Sequence, residues 1–294
     1  MLYIYIMLFI FFALFLLFVN QAFLIYKRNR IKDPGYIVVE NILSQSEIEN
    51  ILVNWEMRNF KNIHDIFIGK GRGIKSKIKN ILGDSYNLID YMYVIENSAI
   101  HTYHRDYTSS KQYNNLEYPS YTMILYLDEP SLDGQGNGLN IIPKSHIDKA
   151  QFYIFDYSKK LNFKKGTSII FDANILHAGT AINSNVNRKC IQFKIIHKDD
   201  ISKLPHLQNF HVLINKPNDK NTILKYIEIE FTKHLPIISD LFQSTIKSAF
   251  AENKTFIQKF ISKLVFSDSD FYKPKRLNIT RYTKKELNLY KLFV

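Results

Sequence analysis

Hydrophobic positions divide the chain into three stretches with different periods. From Met1 to Tyr26 there is no charged side chain and no alternation, only MLYIYIMLFIFFALFLLFVNQAFLIY. Roughly 20 apolar residues at about 1.5 Å each cross a hydrocarbon core about 30 Å thick, so this stretch is long enough to span a bilayer. Beyond it the pattern breaks into short units. Gly35-Tyr-Ile-Val-Val-Glu40 reads as a β-branched strand, and Ser44-Gln-Ser-Glu47 is a capping-box pattern opening a helix that places Ile48, Ile51, Leu52 and Trp55 on one face. A second helix is predicted over about residues 74–82. Strand-like runs follow at 87–95, 100–107, 121–127, 139–142, 151–155, 167–172 and 190–196, with turn signals between them. From Leu204 the spacing turns helical through Ile223, Ile227 and Phe231, then over 237–250 and 256–266. The expected fold class is mainly β with flanking helices. Its short strands form a sandwich or jelly-roll barrel, preceded by a transmembrane helix and followed by a helical C-terminal region. The expected divisions are an anchor over 1–26, a β domain over 33–198 and a basic helical extension over 199–294.

Composition narrows the chemistry. A single cysteine, Cys190, excludes a disulfide scaffold and any multi-Cys zinc or iron–sulfur site, so a bound metal must use His and carboxylates. The net charge of +12 favours phosphates, anionic lipid heads or nucleic acid, although the abundance of Ile, Asn, Lys, Tyr and Phe is also what AT-rich codons produce. Residues from 201 onward carry sixteen Lys or Arg against eight Asp or Glu. That surplus suits either helices lying on an anionic membrane or a helical cap with a solvated basic face. Lys27, Arg28, Arg30 and Lys32 follow the apolar stretch and no Lys or Arg precedes it. The positive-inside bias then keeps the C-terminal bulk in the cytoplasm as a single-pass protein. A cleaved signal peptide fits less well, because the charged n-region and the small-residue cleavage site are absent. Sequons at Asn253 and Asn278 point toward a lumen, but such triplets arise by chance in an Asn-rich chain.

The candidate chemistry lies in the β part. In His104-Arg105-Asp106 the alternation of a strand projects His104 and Asp106 together and Arg105 away. Alone, such a triplet is more often a solvated turn or a buried hydrogen-bonded pair. A second component changes that: the strand Ser168–Asp172 leads into His177-Ala178-Gly179, and Arg188 stands eleven positions beyond His177. One His-x-Asp plus a His from another strand is the two-histidine, one-carboxylate set of non-haem Fe(II) oxygenases, which leaves three coordination positions open. Arg188 offers a planar fork for a carboxylate. Other features have plainer readings. His146 stabilises its own loop, Gly69–Lys75 lacks the Gly-Lys-Ser/Thr ending of a phosphate loop, and Gly134–Gly138 is a turn. Residues 108–120 form a loop suited to a substrate lid. On the strand from Tyr121 to Leu127, alternation leaves open whether Tyr121 or Thr122 faces the site.

These residues resemble the phytanoyl-CoA dioxygenase branch of the Fe(II)/2-oxoglutarate-dependent oxygenases over 35–196. The resemblance is carried by the opening from Gly35, by His104-x-Asp106, by Asn137-Gly-Leu-Asn-Ile-Ile-Pro-Lys-Ser-His146, and by Gly166 to Gly179 with Arg188 following. It implies a double-stranded β-helix, a cupin-like jelly-roll barrel. It implies Fe(II) held by His104, Asp106 and His177, 2-oxoglutarate with its far carboxylate on Arg188, and O2 as co-substrate. The implied reaction is hydroxylation of a C–H bond coupled to decarboxylation of 2-oxoglutarate, with a small metabolite or lipid as substrate and the membrane engaged through 1–26. Asp106 occupies the position a halide fills in related halogenases, so hydroxylation rather than chlorination is implied. Lys144 replaces the usual Gly of the Pro-Gly-Ser-His turn, a change that matters if φ is positive there. Two other readings remain: a nucleic-acid oxidative demethylase, not favoured because Lys194 stands where that branch has a second Arg, and a non-catalytic membrane-bound interaction module. Oligomeric state is left open.

Overall fold

A computed structural model describes residues 2–68, 73–96, 102–106, 116–130, 137–180, 188–204, 211–214, 222–238, 256, 259–260, 263 and 275–277. The apolar N-terminal stretch is one helix, α1 (Leu2–Arg30), long and apolar enough to cross a membrane by length and composition. The rest is a mixed α/β fold. Strand β1 (Tyr36–Val39) leads into helices α2 (Gln45–Glu56), α3 (Phe60–Ile68) and α4 (Gly73–Leu82). Strands β2 (Tyr86–Glu96), β3 (Tyr121–Tyr126) and β4 (Gly138–Ile142) follow, then a single turn, α5 (Ser145–Asp148). After these come β5 (Lys159–Asn162), β6 (Ser168–Asp172), β7 (Leu176–Gly179), β8 (Lys189–His197), a 3-10 helix (Lys198–Lys203), β9 (His211–Ile214), α6 (Thr222–His234) and β10 (Lys275–Leu277). The capping box forms as predicted: Ser44 Oγ accepts from the Glu47 amide, and the Glu47 carboxylate accepts from the Ser44 amide.

The expected closed jelly-roll barrel is corrected: the strands form two open sheets. Among the described residues the larger has seven strands in the order β1-β6-β3-β8-β2-β9-β10, the smaller three in the order β5-β4-β7. The reason lies in two segments predicted as strands. In 151–155 the backbone bonds helices instead, with the Tyr153 amide on His234 O at 2.9 Å and the Ile154 amide on Gln21 Oε1 at 3.1 Å. In 100–107 the described part makes only an isolated bridge, His104 with His177, while 100, 101 and 107 lie outside the described residues. Among the described residues neither segment adds a full strand, and the small sheet has three.

Packing produces four layers. Ile48, Ile51, Trp55, Phe67 and Ile74 of the helices α2 to α4 cover Met92, Met123 and Phe193 on one face of the large sheet. On its other face Tyr93, Ile124, Tyr126, Phe171 and Cys190 meet Leu139 and Ile141 of the small sheet. Behind the small sheet Leu24 of α1 packs with Tyr103, Ile142, Tyr153, Leu176 and Ala178, and Ile229 of α6 joins this cluster. The predicted helical run at Ile223–Phe231 is α6, whereas β9 and β10 are strands within a region read as helical. The predicted helices over 237–250 and 256–266, and both sequons, lie mostly or wholly outside the described residues.

Candidate metal centre

The site is assembled by backbone pairing. The amides of His104 and His177 each donate to the other's carbonyl at 2.9 Å, and two residues on the Asp106 amide donates to Ala173 O at 2.8 Å. A cross-strand pair of this kind sets its side chains side by side. The two imidazoles accordingly lie 4.3 Å apart between centroids, with Phe171 4.5 Å from the His177 ring.

Both rings are oriented by the same device. His104 Nδ1 lies 2.9 Å from Thr102 O, and His177 Nδ1 lies 3.1 Å from Ile175 O. A carbonyl can only accept, so Nδ1 carries the proton in each ring and Nε2 presents its lone pair inward. Each Nε2 stands 3.7 Å from Asp106 Oδ1, and one ligand atom from each of the three residues lies within 4.8 Å of the others. Neighbouring ligands of an ion with bonds of about 2.1 Å stand about 3 Å apart, so a side-chain adjustment closes the set on one ion. The residues fit a metal by donor chemistry as well: two neutral imidazoles and one carboxylate.

The charge state suits that role. Burial and the neighbouring His177 push the His104 imidazole down to about 3, and burial lowers His177 too, so both are neutral at ordinary pH. Burial opposes ionisation of Asp106, but the Lys194 ammonium and the two imidazoles outweigh it and hold the carboxyl well below the usual range. Asp106 Oδ2, the oxygen turned from the imidazoles, accepts from Lys194 Nζ and from Thr122 Oγ1, each at 2.5 Å. Lys194 Nζ also donates to Thr122 Oγ1 at 2.8 Å. Thr122 and Lys194 are direct partners across β3 and β8, so register alone brings them together under Asp106.

The choice between Tyr121 and Thr122 is thereby decided for Thr122, since Tyr121 packs edge-on to Tyr86, 5.3 Å away, on the helical side of the sheet. Arg105 points away as alternation requires and donates to Ala150 O at 2.9 Å. Arg188 is buried between the sheets near the Tyr126 ring and donates to Gly138 O at 3.0 Å and Thr180 O at 3.4 Å. His146 is apart from the triad: its Nε2 stands 3.4 Å from the Asp33 carboxylate, and its ring fills the space a Cβ on Gly35 would need, where φ is +85°. Lys144 has φ +70°, the left-handed backbone its replaced glycine favours, and its ammonium donates to Arg28 O at 2.9 Å. Of the glycine-rich stretch 69–75, the turn 134–138 and the lid candidate 108–120, residues 69–72, 134–136 and 108–115 lie outside the described residues. Sequence reasoning missed the role of Lys194. The signal was present, because Cys190, Gln192 and Lys194 share one strand face and a lysine there has no solvent to meet.

No protein-family model and no curated protein matches the chain. Among solved structures, the α-ketoglutarate-dependent epimerase SnoN of nogalamycin biosynthesis aligns at 13% identity with a TM-score of 0.44, covering 60% of this chain and 81% of that one. HygX from Streptomyces hygroscopicus, with nickel and 2-oxoglutarate bound, aligns at 12% identity and a TM-score of 0.41, covering 60% and 86%. The apo non-haem monooxygenase ThoJ aligns at 13% and 0.40, covering 57% and 76%. Likenesses this distant assign no reaction, and the chemistry of this chain is read from its own side chains.

Proposed function

We propose that the protein is a membrane-anchored Fe(II)- and 2-oxoglutarate-dependent dioxygenase that hydroxylates a C–H bond of a lipid or another small metabolite. The phytanoyl-CoA dioxygenase-like branch is the narrower form of this proposal. One observation carries it: two buried imidazoles with Nδ1 committed to backbone carbonyls turn Nε2 toward one carboxylate oxygen. Three ligands of this type leave room on a ferrous ion for a chelating co-substrate and O2. Held by these residues, Fe(II) with 2-oxoglutarate and O2 would supply oxidative decarboxylation to succinate and CO2, with one oxygen atom going to succinate and the other into the substrate C–H bond.

The chain's own residues have separable tasks. His104, Asp106 and His177 bind the metal, and Lys194 with Thr122 fixes the carboxylate rotamer so that one oxygen stays aimed at the ion. Arg188 is the proposed fork for the far carboxylate of 2-oxoglutarate. The apolar wall of Tyr93, Ile124 and Phe171 excludes bulk water. The lysine at position 194 is engaged by Asp106, which disfavours the nucleic-acid demethylase reading that needs an arginine there. The proposal that α1 is a retained anchor is supported by its docking: Gln21, Leu24 and Arg28 are all buried against the domain.

Oxygen-dependent succinate formation, measured against candidate lipids and small metabolites, tests the activity. The full chain, loaded anaerobically with Fe(II) and 2-oxoglutarate, should release succinate when O2 is admitted. His104→Ala and Asp106→Ala should not; equal release by all three proteins contradicts the proposal.

A further inference from the structure

The way α1 meets the domain carries a conclusion about where the domain sits. Gln21 interrupts the apolar run and is only 2% exposed. Its amide group pairs with the chain like a strand: Nε2 donates to Phe152 O at 3.1 Å, and Oε1 accepts from the Ile154 amide at 3.1 Å. One turn on, Leu24 enters the cluster behind the small sheet, and one further turn on Arg28 pairs with Asp148 and donates to Pro143 O at 2.6 Å. The spacing 21, 24, 28 is one helix face, so the last third of α1 is clamped to the domain, not tethered to it.

The span fixes the height of that clamp. The uncharged run ends at Tyr26 and Lys27, Arg28 and Arg30 follow it, so a hydrocarbon core about 20 residues deep ends within about two turns before Lys27. Gln21 is thus at the boundary of acyl chains and headgroups, and so is the backbone of 152–154 that it holds. Large apolar side chains from three segments are exposed at this level, among them Phe23 by 65%, Phe155 by 53%, and Ile154 and Ile237 by 45% each. Ile237 belongs with them because its amide donates to Gln151 O at 3.4 Å.

We infer that Phe23, Ile154, Phe155 and Ile237 form an apolar collar around the exit of α1 that seats the domain directly in the surface of a lipid bilayer. The inference rests on the reading of α1 as a membrane span. Side chains of this type at the interface gain by burial in the acyl boundary, and continuity with the span selects lipid over a protein partner as occupant. The domain then has no freedom to swing, and the metal centre keeps a constant distance from the membrane, because Tyr103 and Leu176, the neighbours of His104 and His177, share one cluster with Leu24.

Site-specific labelling of the full chain tests this. Cys190 is buried, so a polarity-sensitive thiol fluorophore reports only from introduced cysteines. Ile154→Cys, Phe155→Cys and Ile237→Cys are compared in lipid nanodiscs with Val53→Cys, an exposed site on α2 across the large sheet. Cooperative thermal unfolding of each variant, as in the unsubstituted chain, shows that the fold is kept. The three collar labels should emit blue-shifted light and lose most of it when lipids carry nitroxide on the acyl chain, with the label at 53 unaffected. If the chain resists alkaline carbonate extraction but the collar labels stay aqueous, the domain is held off the membrane and the inference fails while the anchor stands. Blue-shifted but unquenched labels mean that a second copy or residues 239–294 cover the collar, which also overturns it. Extraction by carbonate removes the anchor reading itself, and the collar with it.

Discussion

Asp106 is the residue on which the site turns, because its two oxygens face different partners. Replacing Lys194 by Met removes the charge that holds Oδ2 and should weaken metal binding about 10- to 100-fold, the usual cost of losing an outer partner of a ligand. Thr122→Val should act in the same direction and less. Metal titration measures both, and unchanged affinity in Lys194→Met would mean that the ammonium is incidental. The imidazoles predict a pH effect. An ordinary imidazole titrates near 6.5, whereas His104 in the folded metal-free protein titrates at about 3, with His177 lowered too. Between these values the unfolded chain binds protons that the native chain refuses, so stability is intact above about 6.5 and is lost as pH falls toward 3. The melting temperature of metal-free protein should be lower at pH 5 than at pH 7.5, and His104→Gln should flatten that dependence; an equally steep profile in the variant contradicts the assignment. Lys144 is held at φ +70°. There Lys144→Gly should be more stable than Lys144→Ala by about 1 kcal/mol, since both lose the bond to Arg28 O but only glycine escapes the left-handed strain. Equal melting of the two would mean that the backbone at 144 is unstrained.

At the scale of elements, what was legible was what local pattern controls. The capping box at Ser44, the buried stripe of α2, and strands β2, β3, β4, β6 and β8 follow from side-chain period and turn chemistry. That His104, Asp106 and His177 come together was legible, but the lone backbone bridge that pairs the two histidines was not. What failed was 151–155, whose apolar alternation is that of a strand. Its backbone groups went to Gln21 and His234, partners 131 or more and 81 residues away in sequence, which no local period encodes. Strand β5 escaped for a related reason: it is mostly exposed, with a polar sequence, and takes its form from β4. Helix α3 was overlooked although its local period carries it, with Phe60, Ile63, Ile66 and Phe67 buried on one face. The docking of α1 gives this scale its prediction. Arg28 and Asp148 form a buried ion pair, and Asp148 Oδ1 also accepts from Tyr153 Oη at 2.7 Å. Arg28→Met leaves that carboxylate buried without its cation and should cost about 3–5 kcal/mol, with Arg28→Met/Asp148→Asn recovering much of the loss. Chemical denaturation reads both, and a neutral single variant would mean that α1 is not clamped.

Over the whole molecule, helices, large sheet, small sheet and the α1–α6 pair stack so that the triad lies between the two sheets, shielded on each side by an apolar cluster. An open pair of sheets serves this as well as a closed wall, because the His104–His177 bridge ties the ligand segment to β7 without a complete strand. The central claim is that this arrangement holds one metal ion. Anaerobic equilibrium titration with Fe(II), read as metal bound per chain, tests it most directly. One ion per chain is predicted, with affinity lower by roughly a hundredfold or more in Asp106→Ala and His177→Ala, since each removes one of three protein ligands. Binding that is equal in the wild type and these variants, or the absence of a stoichiometric site, would contradict it.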